Sequence, residues 1–272
     1  MSLEKLKWAA IISFVLSLLL LLGGGSLAKD QLPPYPGKVV DPAGKILFIR
    51  SDILKGQGVY QRYGLMDHGS VWGHGAQRGA EFSALTLHLL SDSIRETLAR
   101  QQHGKSYTEI QGIDKEIIDL RARQEIRTNR YDPTTDTLAL TAAQVAALES
   151  VNRFWEDTFR EGETRYGYLP NTVPTAEERF EIARFFYWTA WVASTTRPGT
   201  DYTYTNNWPA DRSVGNTPST AVYLWTLGGI VALFVVLGFF IFCIHYFGLW
   251  YGPAKGAPLA DKLVDMPLTP SQ

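Results

Sequence analysis

The chain has 272 residues, with 26 basic side chains against 27 acidic ones and a formal net charge of −1. That balance leaves no basic face for nucleic acid. A single cysteine excludes an intrachain disulfide, a multi-thiolate zinc site and a C-x-x-C-H haem attachment.

The chain opens with Lys5 and Lys7, an apolar run over residues 8–22, and then Gly23-Gly24-Gly25-Ser26-Leu27-Ala28. A cleaved signal peptide and a retained anchor helix both begin this way. The anchor is preferred because of a second apolar run, residues 221–244, which holds no charged side chain. That run is long enough to span a bilayer and too long for an ordinary core helix. Trp225 on one side and Tyr246, Phe247, Trp250 and Tyr251 on the other stand where interfacial aromatics are expected. Lys5 and Lys7 before the first span, with Lys255 and Lys262 after the second, place both ends in the cytoplasm and residues 29–218 outside. Lys29, Arg197 and Arg212 pull weakly the other way.

Between the spans, a Pro-rich linker leads to a hairpin over residues 38–49, turned by Asp41-Pro42-Ala43-Gly44. Residues 56–84 then read as a short helix, a loop carrying Gly69, Gly73, Gly75 and Gly79, and the start of a second helix. Glycines let such a loop lie close against another surface. Helices are predicted over residues 81–100, over about 108–127, from the N-cap Thr141 onward, and between Pro174 and Pro198. The last of these ends in Phe185-Phe186-Tyr187-Trp188-Thr189-Ala190-Trp191, aromatic on every side, which suits either a core or docking on membrane helices. Residues 199–218 hold turn formers and aromatics, and are expected to rest on another surface.

The fold class is therefore mainly α: two transmembrane helices flanking a helical extracytoplasmic domain with a small β-hairpin. The domain limits are an anchor over residues 1–28, the extracytoplasmic domain over 29–218, a second span over 219–250 and a cytoplasmic tail or linker over 251–272.

The chemistry-bearing residues are sparse. Asp67, His68 and His74 suggest a metal or haem pocket, but the two histidines are six apart across glycines and no third ligand has useful spacing. They read better as histidines that pack the loop. His88 reads as packing within a helix, His103 as a cation at a helix end, and His245 as an anchor at the end of the span. Met66 is the only methionine away from the chain ends, so a His/Met-ligated haem has almost nothing to draw on. Cys243 lies in an apolar run and reads as a small hydrophobe. No nucleophile triad, phosphate loop or paired carboxylates emerge.

The motifs Val39-Val40-Asp41-Pro42-Ala43-Gly44, residues 56–84, Thr196-Arg197-Pro198-Gly199, Tyr202-Thr203-Tyr204-Thr205-Asn206-Asn207-Trp208-Pro209 and Asn216-Thr217-Pro218-Ser219 resemble, in order, the N-terminal part of the quinol-dependent nitric oxide reductases. The resemblance implies an anchor helix and a cytochrome-c-like extracytoplasmic domain, joined to a catalytic bundle of the haem–copper oxidase superfamily. It implies that Leu65 and His68 replace the two haem-attaching cysteines and that Gly69 replaces the axial histidine. The domain itself would then hold no cofactor, and electrons would come from quinol in a bacterial inner membrane, with the domain on the periplasmic side.

The resemblance further implies that Gly73, His74, Gly75, Tyr202, Tyr204 and Trp208 face the catalytic bundle as the main partner, and that a valine at Gly75 would push the loop off it. A calcium held by loop carbonyls carries over to Gly75 and Gln77. Haem b, an active-site haem b and a non-haem iron are expected in the bundle, beyond Gln272 in a longer chain or in a separate chain. The sequence departs from the family pattern at Gln77, where an aromatic is usual, and at Gly79-Ala80-Glu81, where a small-Pro-Asp run is common. These departures keep a nitric oxide dismutase-like relative open as an alternative. A non-enzymatic membrane-anchored protein that binds a partner through the same domain is the third reading.

Overall fold

The computed structural model describes residues 3–29, 31–76 and 78–246. Gln77, Phe247, Trp250, Tyr251, Lys255 and Lys262 lie outside the described residues, as does the expected tail. The chain forms two compact units, Met1–Pro218 and Ser219–Gln272.

The first unit starts with α1, Leu3–Lys29, of which Lys7–Lys29 is long and apolar enough to cross a membrane. The expected hairpin forms as β1, Lys38–Val40, and β2, Ile46–Ile49, with Gly44 at φ 82° closing its turn. It does not stand alone. Helices α2 (Arg50–Arg62), α3 (Phe82–His103) and α4 (Gly112–Arg127) follow, the last starting later than expected, behind a short 3-10 turn at Tyr107–Glu109. The glycine-rich segment before α3 forms β3 (Gly69–Val71), β4 (His74–Gly75) and β5 (Ala80–Glu81). After α4 come β6, Tyr131–Asp132, and β7, Thr137–Ala139. Strand β7 pairs parallel to β1 across about a hundred residues of sequence, giving a four-stranded sheet in the order β2-β1-β7-β6.

Asp136, in the turn before β7, fastens this sheet to the linker. Its carboxylate accepts from Gly37 N at 2.9 Å and Tyr131 Oη at 2.9 Å, and from the Arg50 guanidinium. The backbone bond from Gly37, first among these, holds the Asp136 carboxyl below its ordinary range. A depressed folded-state pKa stabilises above the unfolded value of about 4 and is lost as pH falls through the folded value. Asp136→Asn is therefore expected to lower Tm at neutral pH and to flatten the decline of Tm below about pH 4. Thermal melts across that range check it.

Helices α5 (Ala142–Glu161) and α6 (Ala176–Ser194) complete the body. Thr141 caps α5 reciprocally with Gln144, and Thr175 caps α6 by accepting from Glu178 N at 3.2 Å. The all-round aromatic helix α6 is core. Every residue from Glu181 to Ser194 is buried, because α2, α3 and α5 all pack on it. Phe82 stacks on Phe186 at 4.5 Å between centroids, Trp155 lies 4.8 Å from Phe186, and the Trp155 indole donates to Thr86 Oγ1 at 3.0 Å. Each such side chain contributes about 1.5–3 kcal/mol by burial. His88 lies on the solvent side of α3, 3.3 Å from Asp92, and not in the packing expected for it. The second unit is described through α7, Thr220–Tyr246, likewise long and apolar enough to cross a membrane, with Cys243 within it.

Candidate functional site

The glycine-rich segment is organised by one tryptophan turned inward. Trp72, at φ 52°, donates its indole N–H to Thr189 O of α6 at 3.0 Å and lies 5.5 Å from the Trp188 ring. Trp188 in turn stacks on Tyr35 at 4.0 Å and donates to Pro34 O at 3.0 Å. With Trp72 pinned inside, Gly73 and His74 form an outward turn. Gly73 takes φ 78°, the left-handed region that favours glycine, and its N–H donates to Glu81 Oε1 at 3.3 Å. His74 is exposed, its Nδ1 3.1 Å from Trp72 O.

The second aromatic loop meets this turn. A Cβ at Gly73 would sit 3.1 Å from Trp208 Nε1, so the two segments form one continuous surface. Trp208 is 48% exposed, and Met66, preceding β3, is 49% exposed. Tyr202 and Tyr204 are half-buried. Tyr204 is built into the body: its hydroxyl accepts from Asn129 Nδ2 at 3.2 Å and its ring lies 5.9 Å from Trp191.

Of the residues that hold the Trp208 loop, Asn207 and Asn216 lie in the quoted motifs, whereas Arg127 carries no signal of its own in the sequence. Arg127, at the end of α4, donates to Asn207 Oδ1 at 3.3 Å, Asn216 Oδ1 at 3.0 Å, Asp201 O at 3.1 Å and Gly215 O at 3.2 Å. Burial, then the neighbouring Arg123, pushes its pKa down. Buried Asn216 donates to Ala193 O at 2.8 Å and Pro209 O at 3.1 Å, and Asn207 donates to Thr217 O at 2.9 Å. The loop thus rests on its own domain and leaves Trp208 outward, together with Asp201 and Asn206.

Gly75 differs from its expected role. At φ 139°, a Cβ there would run into Gly69 O and lie 2.9 Å from Ser70 Cα and 3.1 Å from Met66 O. A valine at Gly75 breaks the domain's own small sheet, so it does not report on docking. His68 is half-buried, its backbone carbonyl accepting from Tyr168 Oη at 3.0 Å, and its Nδ1 is buried without a partner. Among the described residues, no group of three histidines, cysteines or acids stands close enough to hold a metal.

The family model for the NorB cytochrome c-like domain of nitric oxide reductase matches residues 36–210, well over half of the chain. The chain belongs to that family. No curated protein matches it. The match covers the domain with both of its aromatic loops and falls between the two helices long enough to cross a membrane.

A cytochrome c-like fold implies a haem, and the residues at the positions that the resemblance assigns to its attachment and ligation do not fit one. Leu65 is buried in the core cluster with Tyr60, Phe82 and Phe186. A Cβ at Gly69 would lie 2.5 Å from both Ala80 O and Phe82 Cε2, which leaves no room for an imidazole. The one thiol, Cys243, is in α7, outside the domain. Burial of the Tyr60 hydroxyl among these aromatics pushes its pKa up to about 12, so it stays neutral.

Proposed function

We propose that this chain is the N-terminal module of a quinol-dependent nitric oxide reductase. It binds no haem and leaves the reduction to a catalytic bundle outside the residues described. There two NO, two electrons and two protons give N2O and water, with iron carrying the redox chemistry. The helix α1 stays attached as an anchor with its N-terminus in the cytoplasm. The domain lies on the periplasmic side of the inner membrane, where the surface around Gly73, His74 and Trp208 docks on the bundle.

The packing at Leu65 and Gly69 carries this reading. A cytochrome-like domain whose expected haem positions are filled by side chains and backbone offers a soluble cytochrome no path through a haem of its own, which supports a membrane donor. Quinol is the donor of that chemistry available within a bilayer. The exposed Trp208 beside a glycine turn supports the docking surface, since an aromatic with a polar edge is the side chain most favoured at contacts.

The chain purified from membranes is expected to show no stoichiometric Soret band and no covalent haem stain. Paired with its bundle, it is expected to sustain NO consumption on quinol and not on reduced cytochrome c. A stoichiometric, covalently held haem on this chain overturns the proposal.

A further inference from the structure

We propose that the cavity at the foot of the domain, where α1 gives way to the linker, binds the phosphate of a phospholipid headgroup. This rests on the reading of α1 as a retained span. The cavity measures about 370 Å³, within the usual range for small-ligand sites, and Gln31, Leu32, Tyr131, Pro133, Arg197 and Tyr204 are among its walls.

Chain continuity sets its depth. The 23-residue span Lys7–Lys29 is roughly 35 Å long at about 1.5 Å per residue, slightly more than the hydrocarbon core of about 30 Å. Gln31 N donates to Ala28 O at 3.1 Å and Leu32 N to Lys29 O at 3.3 Å, so both residues continue directly from the last turn. They stand in the headgroup layer, which extends about 5–7 Å beyond the core.

Arg197 supplies the charge. Its Nη1 donates to Gln31 Oε1 at 3.2 Å, and its Nη2 to Gln31 O at 2.7 Å and Tyr204 O at 3.5 Å. All three acceptors are neutral, and among the described residues Nε has no partner. The rings of Tyr202 and Tyr204 lie 5.9 and 5.5 Å from its guanidinium. Other half-buried or buried arginines are answered by acids: Arg95 by Asp119 at 2.8 Å, Arg130 by Glu125 at 3.1 Å, and Arg179 by Glu156 at 2.9 Å. Among the described residues Arg127 and Arg184 also lack a carboxylate partner, but neither lines this cavity. Arg127 is enclosed by loop oxygens, and Arg184 lies against the Phe48 and Phe180 rings.

Asp132, beside Pro133, does not neutralise Arg197. Its carboxylate accepts from Thr134 N at 2.9 Å, Thr134 Oγ1 at 2.6 Å and Thr135 Oγ1 at 2.8 Å. The rest of the rim is apolar or amphipathic: Leu32 is 67% exposed beside the Tyr131 and Tyr204 rings. A cation next to exposed apolar surface at headgroup depth fits a phosphodiester with acyl chains attached better than a free anion.

The test is native mass spectrometry of the full chain in detergent, offered phosphatidylglycerol or a diacylglycerol with the same acyl chains. Phosphatidylglycerol is expected to stay bound at one per chain and diacylglycerol to be lost. Arg197→Gln is expected to weaken retention about tenfold, the loss of one charge-assisted contact. Because Arg197→Gln also removes bonds to Gln31, Pro133→Glu serves as the second variant. It leaves those bonds intact, places a negative charge on the rim, and is expected to weaken retention similarly.

Equal retention by the wild type and both variants overturns the site. Displacement of the lipid by inorganic phosphate at equal concentration overturns the lipid as its occupant. The same spectra weigh the protein. A chain that keeps its first 28 residues yet holds no lipid overturns the pocket alone, whereas a chain beginning at Lys29 overturns the anchor and the pocket with it.

Discussion

Gly56→Ala is expected to cost about 3 kcal/mol of stability and to lower the domain's Tm by about 6–12 °C, large effects for one added methyl group. Gly56 lies where α2 packs close against α6. A Cβ there would run into Glu181 O, and would lie 2.7 Å from Glu181 C and 2.8 Å from Phe185 Cβ. Two of these atoms are backbone of the most deeply buried helix, so relief requires moving one helix off the other. The Lys55–Glu181 ion pair at 3.2 Å would shift with them. Gly58, in the same helix, is the control, since nothing lies within 4 Å of its Cβ position. Gly58→Ala is expected to stabilise by up to about 1 kcal/mol, because alanine loses less backbone freedom in a helix. Thermal melts of the two variants side by side separate the packing effect from helix propensity. Equal shifts in both would refute the close crossing.

Trp208→Ala is the second large effect, and it concerns assembly. If the Gly73–Trp208 surface docks on the catalytic bundle, removing the indole is expected to weaken the contact by roughly 2 kcal/mol or more, the cost typical of a tryptophan anchor. Activity of the assembled enzyme and retention of the module in detergent should fall together. The domain's own Tm should change little, because the indole is half exposed and Arg127 and Asn216 hold the loop independently of it. Arg127→Ala gives the opposite pattern. It is expected to lower Tm, since four loop oxygens each lose a donor, and Asn216 Oδ1 and Asp201 O keep no other among the described residues. Full activity and retention with Trp208→Ala would mean that this surface faces water.

The helices of the domain were legible because their signals are local. Thr141 with Gln144, and Thr175 with Glu178, cap α5 and α6 through residues three apart, and apolar periodicity marks their inward faces. The two long apolar helices follow from composition alone, and the absence of paired thiols from a count. The ordered motifs pointed to the quinol-dependent nitric oxide reductases, and the match over residues 36–210 established the coarser family, the NorB cytochrome c-like domain of nitric oxide reductase.

Other features required the assembled chain. The parallel pairing of β1 with β7 joins residues about a hundred positions apart, and nothing near Val39 names Leu138 as its partner. The sequence left α6 open between core and docking helix, because a helix aromatic on all sides suits either until its neighbours are known. Gly73 and Trp208 were both singled out from the sequence, but their contact depends on how Arg127, Asn207 and Asn216 fold the second loop back. Gly75 shows the same limit from the other side. Glycine there signalled a close approach, and only the tertiary structure identified the neighbours as Gly69 O and Ser70 Cα of its own sheet and Met66 O just before it. A residue type records that a backbone is crowded, whereas the identity of the crowding group is a long-range fact.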